Sequence, residues 1–228
     1  MTTNLIGFGD SWAVGAGLAN PAQQNYLALM SQDLGVSSYD FSVRGSSIPH
    51  LLLQFKLFIE NSWEAGCDYV AIFFLTACER DLFFNEQGQP EHSTGPHPDA
   101  HTKYINYYAT LYTDQLANFR MNSSLLSLRQ LCQQYNIQDR YIFGWQTPEL
   151  WPEIDLSRVW RQGKNSILDL FLDDNIKQKD RNIVFLKDNP DPYLFPSMSG
   201  NGAGGHPNFQ GHRKIADTLI DWVGQDFQ

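Results

Sequence analysis

The sequence lacks a surplus of basic charge, paired cysteines, a long apolar run and any internal repeat, and each lack removes a class of function. Sixteen Lys and Arg against 25 Asp and Glu leave a formal net charge of -9. No basic cluster reverses this locally, so nucleic acid, whose phosphates would be repelled, is not an expected partner. Cys67, Cys78 and Cys132 are odd in number and far apart. They form neither a CxxC pair nor a disulfide framework and read as reduced core residues. No 18-residue apolar stretch is long enough to span a bilayer, and Met1-Thr2-Thr3 leads into the first strand without a basic flank or an apolar signal segment. A soluble, cytoplasmic chain without a signal peptide is the expectation. Gly15-Ala16-Gly17 lacks the third glycine of a dinucleotide fingerprint, so no cofactor is expected. His92, His97, Asp99 and His101 offer metal-ligand chemistry, but their spacing matches no metal site, and they read as a solvated loop.

What is present is ample material for a core. With 228 residues, 42% of them hydrophobic and 14% aromatic, the chain suits one domain over 1–228. An apolar run, Leu5-Ile6-Gly7-Phe8, ends abruptly in Gly9-Asp10-Ser11, the profile of a buried strand ending at a pocket. A helix opening at Asn20-Pro21 and ended by Gly35 carries Tyr26, Leu27, Met30 and Leu34 at helical spacing. A strand from Ser38 to Val43 stops at Arg44-Gly45-Ser46-Ser47, and Ile48 to Ile59 forms a second amphipathic helix. Asp68 to Thr76 is apolar on both alternating faces, as a central strand covered by helices on two sides must be. The stretch 82–103 reads as an excursion over the surface, placed as a lid would be. Tyr104 to Tyr135 is helical, with a break near Asn122. Tyr141 to Trp145 is a fourth strand, Val159 to Leu172 a helix, Asn182 to Leu186 a fifth strand, and a final helix carries Ile215, Leu219 and Val223. Strands alternating with helices imply a parallel sheet with helices on both faces.

Two segments carry chemistry: Gly9-Asp10-Ser11 at the end of the first strand, and His206-Pro207-Asn208-Phe209-Gln210-Gly211-His212 before the last helix. With Gly45 after the second strand, this order resembles the SGNH, or GDSL-type, hydrolases. The Gly-x-Ser-x-Gly elbow of the α/β-hydrolases is absent, because Ala13 stands at its last position. The resemblance implies a three-layer α/β/α sandwich with a five-stranded parallel sheet in flavodoxin-like order. It also implies a serine ester hydrolase: Ser11 as nucleophile, His206 as base and then acid, and the backbone N–H groups of Ser11 and Gly45 as oxyanion donors. The chemistry is reasonable, since a serine hydroxyl is a weak nucleophile that needs an adjacent imidazole, and the tetrahedral oxyanion needs fixed donors.

Two departures stand out. The family's Gly-x-Asn-Asp after the third strand is replaced by Thr76-Ala77-Cys78-Glu79-Arg80-Asp81, leaving Thr76 as the substitute donor and Arg80 as the second choice. Structural readings stand beside both, with Thr76 as a strand-end cap and Arg80 paired with Glu79 or Asp81. The family's aspartate three residues before the histidine is Ala203 here, so three arrangements stay open: a Ser11–His206 dyad, an acid from elsewhere such as Asp191, or a degenerate site in a binding or structural protein. Asp10, inside the Gly-Asp-Ser motif, is a supporting residue, and His212 reads as a cap or packing residue of the last helix. The implied substrate is a simple ester or an acetylated carbohydrate. Trp12, Trp145 and Trp151 flank the pocket elements, either to line it or to pack the core.

Overall fold

The central strand forms where the sequence is least polar, and every other element is placed by its distance from that strand. The computed structural model describes residues 3–92, 102–145, 148–163, 166–171, 193–194 and 205–224. Its elements run β1 (Thr3–Phe8), α1 (Ser11–Val14), α2 (Pro21–Gln24), α3 (Tyr26–Leu34), β2 (Ser37–Asp40), α4 (His50–Asn61) and β3 (Asp68–Leu75). There follow β4 (Leu82–Phe84), β5 (Pro90–His92), α5 (Thr102–Thr110), α6 (Asp114–Gln134) and β6 (Ile137–Phe143). Two 3-10 turns (Leu156–Arg158 and Trp160–Gly163), α7 (Ile167–Phe171) and α8 (Phe209–Val223) complete the described set. No helix among the described residues is long and apolar enough to cross a membrane.

The sheet order is β2-β1-β3-β6, and all three pairings are parallel. Four of the expected five strands are thus among the described residues, and the expected fifth, 182–186, lies outside them. Alternation along each strand divides the core in two, as the two-residue period of a strand requires. Leu5, Val70, Ile72, Phe74 and Ile142 meet α3, α7 and α8 on one face. Ile6, Phe8, Ala71, Phe73, Leu75, Tyr141 and Phe143 meet α4 and α6 on the other. On that second face the rings of Phe8, Phe73 and Tyr141 stack across three adjacent strands, with centroids 4.9 and 5.3 Å apart.

Where the helices differ from the sequence expectation, capping side chains explain two of the differences. The helix expected from Asn20 breaks at Asn25, which is extended (ψ 164°) and caps α3 by accepting from the Ala28 N–H at 2.9 Å. Asn20 makes no side-chain cap. The break in the long helix falls at 111–113 rather than at Asn122, because the Thr113 hydroxyl accepts from Leu116 N–H and restarts the helix as α6. Asn122 is buried inside α6, where it donates to the Glu149 carbonyl and accepts from the Trp151 N–H. The helix expected over Val159–Leu172 is instead the 3-10 turn Trp160–Gly163 and the five-residue α7, with Val159 forming a single parallel bridge to Tyr141 at the sheet edge. Part of the excursion over 82–103 is an antiparallel hairpin of β4 and β5.

The close approach that positions the end of β1 is made by Gly9. A Cβ there would lie 2.5 Å from the Ala13 Cβ and 2.9 Å from the Phe74 Cβ, with the Phe74 carbonyl at 3.2 Å. These are short, backbone-near groups that have no far end to swing away. Gly9→Ala is therefore expected to cost about 1–3 kcal/mol of stability by overpacking, read from the urea midpoint. An unchanged midpoint would contradict the tight fit.

Candidate active site

Ser11 opens the one-turn helix α1 immediately after β1, at the carboxyl end of the sheet where ligands of open parallel sheets bind. Its turn is fixed by the residue before it. Asp10, 1% exposed, caps α1 by accepting from the Trp12 N–H at 2.9 Å, and its other oxygen meets the Arg80 guanidinium at 3.0 Å. Arg80 thus ties the Ser11 turn to the segment after β3. Its partner is Asp10 rather than Glu79 or Asp81, and Asp81 pairs with Arg120 and Tyr107 instead. Gly15 in the left-handed region (φ 78°) ends α1, its N–H bonded to the Ser11 carbonyl.

His206 arrives from the other end of the chain. The Asn208 carboxamide caps α8 by accepting from Gly211 N–H at 3.0 Å, the Asn208 N–H donates to the Tyr193 carbonyl, and Leu194 bridges Pro207. These contacts hold the turn just before α8. There the His206 Nε2 lies 2.9 Å from the Ser11 Oγ, within hydrogen-bond reach across 195 positions of sequence. A neutral imidazole with Nε2 unprotonated accepts the serine proton in this geometry.

His212 has a different fate. It is fully buried, its Nδ1 accepts from Tyr26 N–H at 3.1 Å, and burial followed by the proximity of His206 pushes its pKa down to about 3. It packs α8 against α3 as a neutral side chain, in line with the packing role read from the sequence.

The remaining candidates gather around the same strand ends. Gly45 has φ 75°, in a loop tied to the Ser11 turn by a 3.0 Å bond from Val43 N–H to the Gly9 carbonyl. Thr76 follows the last residue of β3, is 5% exposed, and its Oγ1 has no hydrogen-bond partner among the described residues. Asp191 lies outside the described residues, as do His97, Asp99 and His101. Among the described residues no group of three or more His, Cys, Asp or Glu is placed to hold a metal ion. The Cys78 thiol, near this end of β3, is pushed up to about 11 by burial and then by Glu79. Trp12 belongs to the core: it is 1% exposed and packs on Trp145 at 4.5 Å and Phe171 at 6.2 Å. Trp151 is half-buried beside the exposed Phe119.

One residue of the site is missing from the sequence reading. Gln54 of α4 is fully buried and exchanges two hydrogen bonds with the Gly9 backbone, both at 2.9 Å. The signal was available: Gln54 sits three residues after Leu51 and four before Phe58, on the apolar stripe of an amphipathic helix, where a polar side chain needs a buried partner.

No protein-family model matches the chain, and no curated protein matches it in sequence. Among solved structures it is similar to a protein assigned to the lipolytic G-D-S-L family from Desulfitobacterium hafniense DCB-2. That likeness has 9% identity over 96% of this chain and 98% of that one, with a TM-score of 0.50. It is also similar to an acetyl xylan esterase from the rumen bacterium Butyrivibrio proteoclasticus, with 16% identity over 98% of this chain but 64% of that one, again with a TM-score of 0.50. The chain has the fold of the SGNH, or G-D-S-L, hydrolases.

The neutral His212 has a pH consequence. Unfolded, it takes up a proton near its ordinary value of 6.5; folded, only near 3. Between these values the unfolded chain binds more protons, so stability falls as pH drops below 6.5, by about 1 kcal/mol per pH unit from this group. His212→Asn keeps an acceptor for Tyr26 N–H and cannot titrate. Urea denaturation between pH 7 and pH 4 should show a shallower loss in this variant than in the wild type, and equal slopes would mean that His212 ionises in the fold.

Proposed function

From a chain with this fold and a serine hydroxyl seated on an imidazole nitrogen, we propose a serine hydrolase of carboxylic esters, working through a Ser11 acyl-enzyme. The 2.9 Å approach of Ser11 Oγ to His206 Nε2 carries the reading. Ser11 attacks the ester carbonyl while His206 takes its proton. The imidazolium then protonates the leaving alcohol, and the same histidine activates the water that releases the acid. The orienting partner of His206 is a backbone carbonyl in the dyad form of the proposal, or Asp191 if an acid completes the group. The segment 182–186 is the fifth strand in this reading, completing the flavodoxin-like order over the single domain 1–228, and the insertion 82–103 is its lid. The substrate is a small ester or an acetylated carbohydrate, and the named activity of the acetyl xylan esterase neighbour supports the second.

The oxyanion would take the N–H groups of Ser11 and Gly45 and the hydroxyl of Thr76. Two observations support Thr76 over Arg80 as the third donor. A buried hydroxyl without a partner forfeits about 1–3 kcal/mol, a loss that a substrate oxyanion would offset at the moment of reaction. The Arg80 guanidinium, by contrast, is already engaged by the buried Asp10 carboxylate.

Ser11→Ala and His206→Ala are each expected to lower turnover of a short-chain aryl ester by about a thousandfold or more, with melting temperatures close to that of the wild type. Undiminished turnover in either variant would refute the assignment. Thr76→Val keeps the shape and removes the donor. It should lower kcat by about a hundredfold to a thousandfold, with KM nearly unchanged. A silent Thr76→Val in an active enzyme would remove Thr76 from the oxyanion site.

A further inference from the structure

The inner face of α4 is apolar except at His50, which opens the helix, and Gln54 in its interior. Leu51, Phe55 and Phe58 are at most 2% exposed, and between them Gln54 is 0% exposed. A buried carboxamide is costly unless it is fully bonded, and this one uses its acceptor and both donors. Its Oε1 accepts from the Gly9 N–H at 2.9 Å, and its Nε2 donates to the Gly9 carbonyl at 2.9 Å and to the Ser46 Oγ at 2.8 Å. Gly9 lies two residues before Ser11, and Ser46 lies one residue after Gly45. The same Gly9 carbonyl also accepts from Val43 N–H at 3.0 Å.

We infer that Gln54 is a positioning residue that locks the Gly9–Ser11 turn and the Gly45–Ser46 turn into one rigid unit, setting the spacing of the two backbone oxyanion donors. The inference rests on the proposed ester hydrolysis. The need for such a lock follows from where the two turns stand. The β1–β2 register ends at Gly7 and Asp40, so regular ladder pairing stops before either donor is reached. Beyond it the loops are tied by Val43 N–H and by Gln54. Both donors must point at one oxygen, and a misplacement of about 1 Å between groups in a site is enough to cost a hundredfold in rate. Ser46 is itself 1% exposed, so its hydroxyl is held in the interior and passes the constraint to the adjacent Gly45 peptide.

The test separates positioning from simple core support. Gln54→Met keeps length and volume and removes all three bonds, while Ser46→Ala removes only the bond to the Gly45 turn. Competent Ser11 is counted by titration to completion with a fluorophosphonate, and 4-nitrophenyl acetate hydrolysis is expressed per titrated site. Gln54→Met is expected to lower kcat per site by about tenfold to a hundredfold with KM within about twofold, and Ser46→Ala by about threefold to tenfold. A purely structural role would lower the melting temperature and the number of titratable sites but leave kcat per site within twofold of the wild type, and that result overturns the inference. Should Gln54→Met fail to fold, Ser46→Ala decides alone, and an unchanged kcat per site overturns the inference. A wild-type protein that neither hydrolyses the ester nor takes the label refutes the Ser11 assignment and this inference together. An active wild type with unaffected variants refutes only the role of Gln54.

Discussion

Everything at the carboxyl end of the sheet depends on how closely the Gly9 backbone approaches its neighbours. With no side chain, the Gly9 peptide lies against Phe74 of β3 and Ala13 of α1, where a Cβ would come within 2.5 to 2.9 Å of both. That contact lets the chain turn into α1 directly on leaving β1, so Ser11 stands above the sheet instead of continuing along it. It also leaves the Gly9 N–H and carbonyl buried past the last strand pairing, where polar groups must be satisfied. Gln54 and Val43 supply the partners. The geometry of the Ser11 turn is therefore set by packing on one side and by hydrogen bonds on the other.

The Asp10–Arg80 pair extends the same constraint to β3. A carboxylate that is 1% exposed is tolerable only with strong partners, and Asp10 has both a cap bond and a guanidinium. The pair joins the segment after β3 to the Ser11 turn, and in doing so occupies the cation that stands nearest to Thr76 in sequence. The usual asparagine of the SGNH resemblance would bring its own amide to this place. Here Arg80 links the loops through Asp10, and the Thr76 hydroxyl is left without a partner among the described residues.

The chain's periodicity carried most of the fold. β1, β3 and α8 stand out because their apolar spacing is uninterrupted, and Ser11, Gly45 and Thr76 follow β1, β2 and β3, whose parallel pairing sets their carboxyl ends on one side of the sheet. What periodicity hid was local. A period of 3.6 runs through the break at 111–113 as easily as through Asn122, and only the capping geometry of Thr113 distinguishes them. Val159 and Ile167 share a helical spacing with their neighbours, yet a bridge to Tyr141 draws Val159 to the sheet edge. From its place beside Ser11, Trp12 could line the pocket or pack the core. In a helix, however, adjacent side chains point about 100° apart, and Trp12 turns inward against Phe171 and Trp145 while its neighbour faces His206. Gln54 on the apolar stripe of α4 signals a buried partner, but only the packing of α4 against the end of β1 identifies that partner as Gly9.

The two histidines that flank the start of α8 show how a few residues of spacing separate a side chain beside Ser11 from one packed in the core. His206 precedes the helix, in a turn held by the Tyr193 carbonyl and the Leu194–Pro207 bridge, and is half-buried. His212 lies in the second turn of α8 on the face that carries Ile215 and Leu219, and burial keeps it neutral. Gly211 makes the docking of that face possible, since a Cβ there would sit 2.2 Å from the Tyr193 carbonyl oxygen, which is the acceptor for the Asn208 N–H. The contact that seats α8 is thus the contact that holds the turn before it. His206 stands beside Ser11 at the end of a turn that the seated helix holds, and His212, kept neutral by burial, lets that helix pack without burying a charge.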